Sequence, residues 1–298
     1  MINIFVQRNF ILPLAFILGF SFPQLAQMTQ PLIIPAMIVV MTVSIAQIPT
    51  YEIIKWKNLA RPLAIGVFFN YLILSSLLLA LSHFIHFDES TRAGMILVAS
   101  APPGIAVLPF TSLLSGDSVL SLLAIFGSYL SSFIIMPGLI WFLIGTVSFP
   151  VSKLVIALIE LIVLPIILSR LLIIKNLHKW ISDKKGIIVN WGFFFVFLSV
   201  TGLNRNAFFE ISNSLLKVFL IAFTSTFFVF FFMSRFLKKI GINQEEVISM
   251  VLLSTIKNSA FSAAMALILF DKNVSIPSAI FTLVYAFYMI WLGIQRLK

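Results

Sequence analysis

Apolar residues run along this chain in long blocks, separated by short polar intervals. Ten blocks stand out, at 9–27, 30–49, 60–85, 93–115, 118–145, 151–173, 186–203, 215–234, 247–270 and 275–295. Each is close to the roughly 20 mostly apolar residues that a helix needs to cross a bilayer. The pattern predicts an all-α, polytopic membrane protein with ten transmembrane helices. Together the blocks use nearly the whole chain as one transmembrane domain, 1–298, and leave no room for a soluble domain.

The longest polar interval, 174–185, divides the blocks five and five. An odd number of spans per half sets the halves in opposite orientations, which predicts an inverted repeat of about 1–146 and about 150–298. Leu12-Pro13 in the first span and Leu164-Pro165 in the sixth are a weak echo. Matched interruptions weigh more. The fourth span is interrupted by Ala101-Pro102-Pro103-Gly104, and the ninth by Ser254-Thr255-Ile256-Lys257-Asn258-Ser259. Proline lacks an N–H and crowds the preceding turn, and glycine is permissive, so Pro-Pro-Gly should break a helix. Freed backbone groups in hydrocarbon cost several kcal/mol unless protein or water satisfies them. A break therefore predicts a buried site, with a half-helix positive end suited to an anion. Pro103, Gly104 and Ile105 are the candidates on that side.

Composition sharpens this picture. The chain is 60% hydrophobic and only 10% charged, against about 25% charged in soluble domains. No phosphate-binding loop of the form G-x-x-x-x-G-K-[ST] is present, which excludes an ATP-driven motor within the chain. The net charge of +10 does not imply nucleic acid, because the cations follow the loops. With ten spans, one side holds Arg8, Lys55, Lys57, Arg61, Arg170, Lys175, Lys179, Lys184, Lys185, Arg235, Lys238, Lys239, Arg296 and Lys298. The other holds Arg92, Lys153, Arg205, Lys217 and Lys272. Positive charge favours the inside, so both termini should be cytoplasmic, in a cell (inner) membrane. Arg8 ahead of an apolar run imitates a leader, but a small-x-small cleavage site is missing and no cleavage is expected. Cysteine is absent, which removes disulfides, thiolate metal sites and cysteine nucleophiles.

Lys257 is the sharpest single residue. A lysine near a helix centre costs about 2.5–3.5 kcal/mol on insertion scales and usually faces a cavity with a function. It lies about eleven residues from either end of its span, roughly 16 Å at 1.5 Å per residue, too deep for its ammonium to snorkel out easily. Asn258 and Ser259 extend the same polar face. Glu160 is the only acid well inside a span; it could pair with Lys257, carry a proton, or remain a protonated hydrogen bonder. Asp117, in Ser115-Gly116-Asp117-Ser118, reads as a turn residue capping the fifth span. Tyr51, Trp56, Trp180, Trp191 and Trp291 read as interfacial anchors, and the phenylalanines as packing and lipid-facing residues.

Several of these motifs form a recognisable set. Ala93 to Gly104, the Gly116-Asp117 turn, and the Ser/Thr-bearing fifth span with Ser128, Ser132 and Pro137 resemble the bile acid:sodium symporter family. So do Lys257-Asn258-Ser259 with the small-residue helix after them, and Phe69-Asn70-Tyr71 in the third span. The likeness covers all ten spans and is partly shared with auxin-efflux-type carriers and arsenite permeases. It implies a core of spans 3–5 and 8–10, moving against a panel of spans 1, 2, 6 and 7. The broken spans 4 and 9 would cross at the substrate site. In sodium-coupled members, two ions sit behind that crossing. The chain departs from their ligand set where Val107-Leu108 replace a Ser-Asn pair, Leu253 a Glu, and Lys257 a Gln. Asn70 and Ser128 remain as one amide and one hydroxyl. No cofactor is expected, and sodium would meet a broken ligand set, with the Lys257 ammonium standing where relatives bind the ion.

The function expected from this is alternating-access transport of a small organic anion; family members handle bile acids, steroid sulfates and small keto or hydroxy acids. An auxin-efflux-type permease is the nearest alternative, and a non-transporting scaffold or sensor a more distant one. The absence of cysteine argues against arsenite. No Ser-His or Asp-Asp pair is placed for hydrolysis, so no enzyme activity is expected. The expected partners are the anion and the bilayer, without nucleic acid, and the sequence does not fix an oligomeric state.

Overall fold

The computed structural model describes residues 8–46, 50, 56–104, 106–144, 151–174, 177–205 and 213–295. Within them the chain is helical. We number the helices α1 (Arg8–Ser21), α2 (Pro23–Ile45) and α3 (Trp56–Val67, Phe68–Ser75 and Ser76–Phe84 in one run). Next come α4 (Glu89–Ser100), α5 (Val107–Leu113), α6 (Ser118–Ile144) and α7 (Val151–Leu158, Ile159–Val163 and Leu164–Ile174). The rest are α8 (His178–Leu203), α9 (Asn213–Phe223, Thr224–Phe228 and Val229–Lys239), α10 (Gln244–Leu253), α11 (Ser259–Leu269) and α12 (Ile276–Gln295). Among the described residues seven stretches, in α2, α3, α6, α7, α8, α9 and α12, are long and apolar enough to cross a membrane. The molecule is thus a polytopic helical membrane protein. Among the described residues its extended structure is limited to one antiparallel bridge, between Pro103 and Lys257.

The first boundary differs from the sequence expectation. The blocks 9–27 and 30–49 suggested a turn near residue 28. The chain turns instead at Phe22 (φ −128°, ψ 76°), with Pro23 opening α2. Proline at the first helical position loses no needed N–H and has the right φ, so α2 continues through Gln30 to Ile45. The apolar count alone could not locate that turn.

Glycines set the closest helix contacts. A Cβ on Gly66 of α3 would lie 2.2 Å from the Ala124 carbonyl of α6, and one on Gly127 of α6 would lie 2.5 Å from the Leu63 side chain. Gly19 of α1 and Gly202 of α8 make a similar pair, with a Gly19 Cβ falling 2.5 Å from the Leu198 carbonyl. Small residues let helix backbones touch where lipid supplies no hydrophobic drive. Helices α1, α2 and α7 pack with α8 or with one another; α3, α4 and α6 pack together, and α9 and α11 pack on α12.

Helix ends follow capping chemistry. Asp88 accepts the Thr91 N–H (2.9 Å) and hydroxyl (2.7 Å) at the start of α4. Partial burial pushes its carboxyl up, but the Thr91 bonds outweigh this and hold it below the usual carboxylate range. Asp117 accepts the Leu120 N–H at 2.9 Å, the capping role its turn motif suggested. Its own N–H is held by the Glu245 carbonyl (3.1 Å), which ties the start of α6 to α10. Nearby, Arg61 and Glu246 form a salt bridge of 2.6 Å between α3 and α10, with the Arg61 side chain 64% exposed. Solvent screens such a pair, so Arg61→Ala should cost less than about 1 kcal/mol. A thermal melt of the purified variant checks this; a larger loss would mean that Arg61 anchors α10.

Candidate functional site

The two predicted interruptions meet. Helix α4 ends at Ser100 and α5 begins at Val107; α10 ends at Leu253 and α11 begins at Ser259. Between them the Gly104 N–H donates to the Ile256 carbonyl (3.0 Å) and the Asn258 N–H to the Pro102 carbonyl (2.8 Å). Each break supplies the partners that the other lacks, which is how irregular backbone survives away from water. Gly104 is required here by space: a Cβ would lie 2.9 Å from Ile256 Cγ2 and 3.1 Å from the Lys257 carbonyl.

Lys257 stands at this crossing and is 1% exposed. Its Nζ donates to Asn70 Oδ1 (2.7 Å), Ser75 Oγ (2.7 Å) and the Ala101 carbonyl (2.8 Å). The Tyr71 ring lies 4.6 Å away, within cation–π range. The Lys257 backbone N–H donates to the Tyr285 hydroxyl of α12 (3.0 Å). Three N–H donors meet three oxygens, so the ammonium is fully partnered without a carboxylate. Ala101 follows the last turn of α4, where carbonyls lose their helical partners and carry the negative end of the helix dipole.

Asn258 uses both ends of its amide on structure. Its Oδ1 caps α11 by accepting the Phe261 N–H (3.0 Å), and its Nδ2 donates to the Tyr129 hydroxyl (2.5 Å). Ser259 Oγ accepts from Thr282 Oγ1 (2.8 Å). Ser128 and Ser132 donate to carbonyls of their own helix, Ala124 (2.8 Å) and Tyr129 (2.6 Å), a common outlet for hydroxyls inside helices. Ser128 reaches the site through its carbonyl, which accepts the Tyr71 hydroxyl at 3.2 Å.

The structure therefore gathers Asn70, Pro103, Gly104, Lys257, Asn258 and Ser259 at one place, with Ser128 and Ser132 on the neighbouring helix. Glu160 is half-buried on the π-helical turn of α7 and does not pair with Lys257. Ile105 lies outside the described residues. Sequence reasoning missed Ser75, Tyr71, Tyr129 and Tyr285. Trp291 packs among Phe227, Phe230 and Tyr288 at 5.2–6.0 Å.

A cavity of about 690 Å³ adjoins the crossing. Gly104, Lys257, Asn258 and Ser259 line it together with Lys185, Asn190, Phe193 and Phe197 of α8. The lining is mostly apolar with a few polar groups, as in small-molecule sites.

Among the described residues, seven membrane-length helices and two broken helices joined at their breaks, with a solute-sized cavity beside them, define a polytopic helical membrane protein. The chain belongs to the sodium bile acid symporter family, whose model matches residues 34–211. That match takes in the Pro-Pro-Gly break and ends before Lys257. No curated protein matches the chain.

Proposed function

We propose that this protein carries a small organic anion across the membrane by alternating access, without sodium. The reading takes the ten apolar blocks as ten spans in a 5+5 inverted repeat, with α4–α5 and α10–α11 as the broken fourth and ninth. Spans 3–5 and 8–10 form the core, and spans 1, 2, 6 and 7 the panel. Both termini face the cytoplasm of a cell (inner) membrane, as does the part of the cavity lined by Lys185. An anion is held between the half-helix start at Ser259 and the aromatic face of α8. No enzymatic step is involved.

The observation that carries the reading is the Lys257 cage. An ammonium with three oxygen partners occupies the crossing, and three of the positions where the resemblance puts sodium ligands, Val107, Leu108 and Leu253, are apolar. Val107 and Leu253 are fully buried hydrocarbons, and a hard cation needs oxygen donors. Binding is expected to show as thermal stabilisation of the purified protein by taurocholate, a steroid sulfate or pyruvate. Uptake of the stabilising anion into proteoliposomes should change by less than about twofold when choline replaces sodium, because the cage leaves sodium no site to fill. A steep sodium dependence of uptake would overturn the sodium-free mechanism, and failure of every anion to bind would remove the substrate class.

A further inference from the structure

The Lys257 cage has a property that a simple structural staple would not need. Ser75 Oγ lies 2.7 Å from Nζ, 2.6 Å from the Ala99 carbonyl and 3.1 Å from the Asn70 carbonyl. When Nζ is an ammonium, it gives three hydrogen bonds and the Ser75 O–H points to the Ala99 carbonyl. When Nζ is an amine, it gives two, to Asn70 Oδ1 and the Ala101 carbonyl. Its lone pair then accepts the Ser75 O–H. A hydroxyl is both donor and acceptor and rotates to suit, so no heavy atom has to move between the two states.

The surroundings are neutral in both. The group facing Nζ from α3 is the Tyr71 ring; Tyr285 of α12 meets the Lys257 backbone. One residue further on, Asn258 holds Tyr129 of α6, and two residues back Thr255 contacts Tyr288 of α12. No carboxylate bonds to Lys257 among the described residues. A buried cation without a counter-charge is costly. The adjoining cavity is lined by Lys257, Asn258 and Ser259, and an anion bound there would supply that counter-charge.

We propose that Lys257 is a proton-binding site whose occupancy is linked to anion occupancy of the cavity, making the protein a proton–anion symporter. The inference rests on the anion-carrier reading and extends it. With the anion bound, Nζ keeps its proton and the two charges compensate. When the anion leaves, one N–H bond breaks, the proton passes to water, and the electron pair stays on Nζ to accept the Ser75 hydroxyl. Linkage is reciprocal, so the proton raises anion affinity by the factor that the anion raises proton affinity. A fixed ammonium cannot dissociate from the carrier, and its proton is the part of it that can be moved.

The test uses full-length protein in lipid nanodiscs with ¹⁵N-labelled lysine side chains. The Lys257 resonance is identified by its loss in Lys257→Gln and its displacement in Ser75→Ala, which keeps the lysine. Without any added anion, it is expected to pass between ammonium and amine positions between about pH 5 and about pH 11, a range that spans the ordinary lysine value. A resonance that keeps one form throughout overturns the proposal. In proteoliposomes, an inward proton gradient should raise uptake of taurocholate or pyruvate, given as choline salts, by about tenfold, a coupling of common size. An internal pH dye should report one proton entering per anion, and uptake without proton movement overturns the proposal. A titrating Lys257 with no uptake of either probe would refute the anion-carrier reading while leaving the proton site standing.

Discussion

Lys257→Met is expected to lower anion uptake by about tenfold to a hundredfold while leaving a protein that inserts and can be purified. Methionine matches the length of the lysine stem and keeps its packing, but offers no donor. Ser75 can turn to the Ala99 carbonyl (2.6 Å), but Asn70 Oδ1 loses its donor, because the 3.5 Å contact to the Leu253 carbonyl is made by Nδ2. The Ala101 carbonyl has no such outlet, and an unsatisfied buried acceptor costs about 1–3 kcal/mol. That cost falls on the break that must keep its shape, and each 1.4 kcal/mol is about tenfold in an equilibrium. The melting temperature should fall as well. Sequence alone suggests the opposite, because deleting a lone buried charge often stabilises a fold. The three oxygens at 2.7–2.8 Å reverse the sign. Lys257→Arg should rescue poorly, since a planar fork does not fit a compact three-oxygen cage. Wild-type uptake by Lys257→Met would show the lysine to be packing, and the site at the α10–α11 break would be abandoned.

The second large effect is expected at Gly66→Val. An added Cβ would fall 2.2 Å from the Ala124 carbonyl and 2.6 Å from Ser128 Oγ. The obstacle is backbone, which cannot swing aside, so α3 and α6 must separate. Overpacking typically costs 1–3 kcal/mol, and here the upper part of that range, about 3 kcal/mol, is expected in a melt. Because Asn70, Tyr71 and Ser75 lie on α3, the displacement should also reduce uptake. Gly138→Ala is the control on α6, with nothing within 4 Å of the new carbon; its melting temperature should stay within the error of the wild type. Equal melting of Gly66→Val and wild type would show that the α3–α6 contact is looser than described.

Much of this architecture was legible from the chain because bilayer thickness writes itself into block length. The breaks were legible too, since Pro102-Pro103-Gly104 removes two donors and a side chain at mid-span. Their pairing across the Pro103–Lys257 bridge was expected only through the family resemblance. The cage was half legible. Lys257 and Asn70 were singled out, but Ser75 was not, for a geometric reason. On an α-helix, neighbours on one face are three or four residues apart. Residues Phe68–Ser75 form a π-helical run, in which bonds close from i to i+5, so Asn70 and Ser75 share a face. Nothing in Phe-Phe-Asn-Tyr-Leu-Ile-Leu-Ser announces that widened turn. The turn at Phe22 was missed for the converse reason: a local proline effect outweighed a smooth apolar run.

The exchange of amides across the Pro103–Lys257 bridge has a mechanical consequence. A broken helix is ordinarily a place where a span can flex. Here Gly104 and Asn258 each spend their N–H on the other break, and the Lys257 side chain adds a third tie, to α3 and to the end of α4. Bending either broken helix alone would strand two buried amides. Under the alternating access proposed above, the four half-helices would then travel as a single stiff member, with the change of access coming from slippage along its outer surfaces.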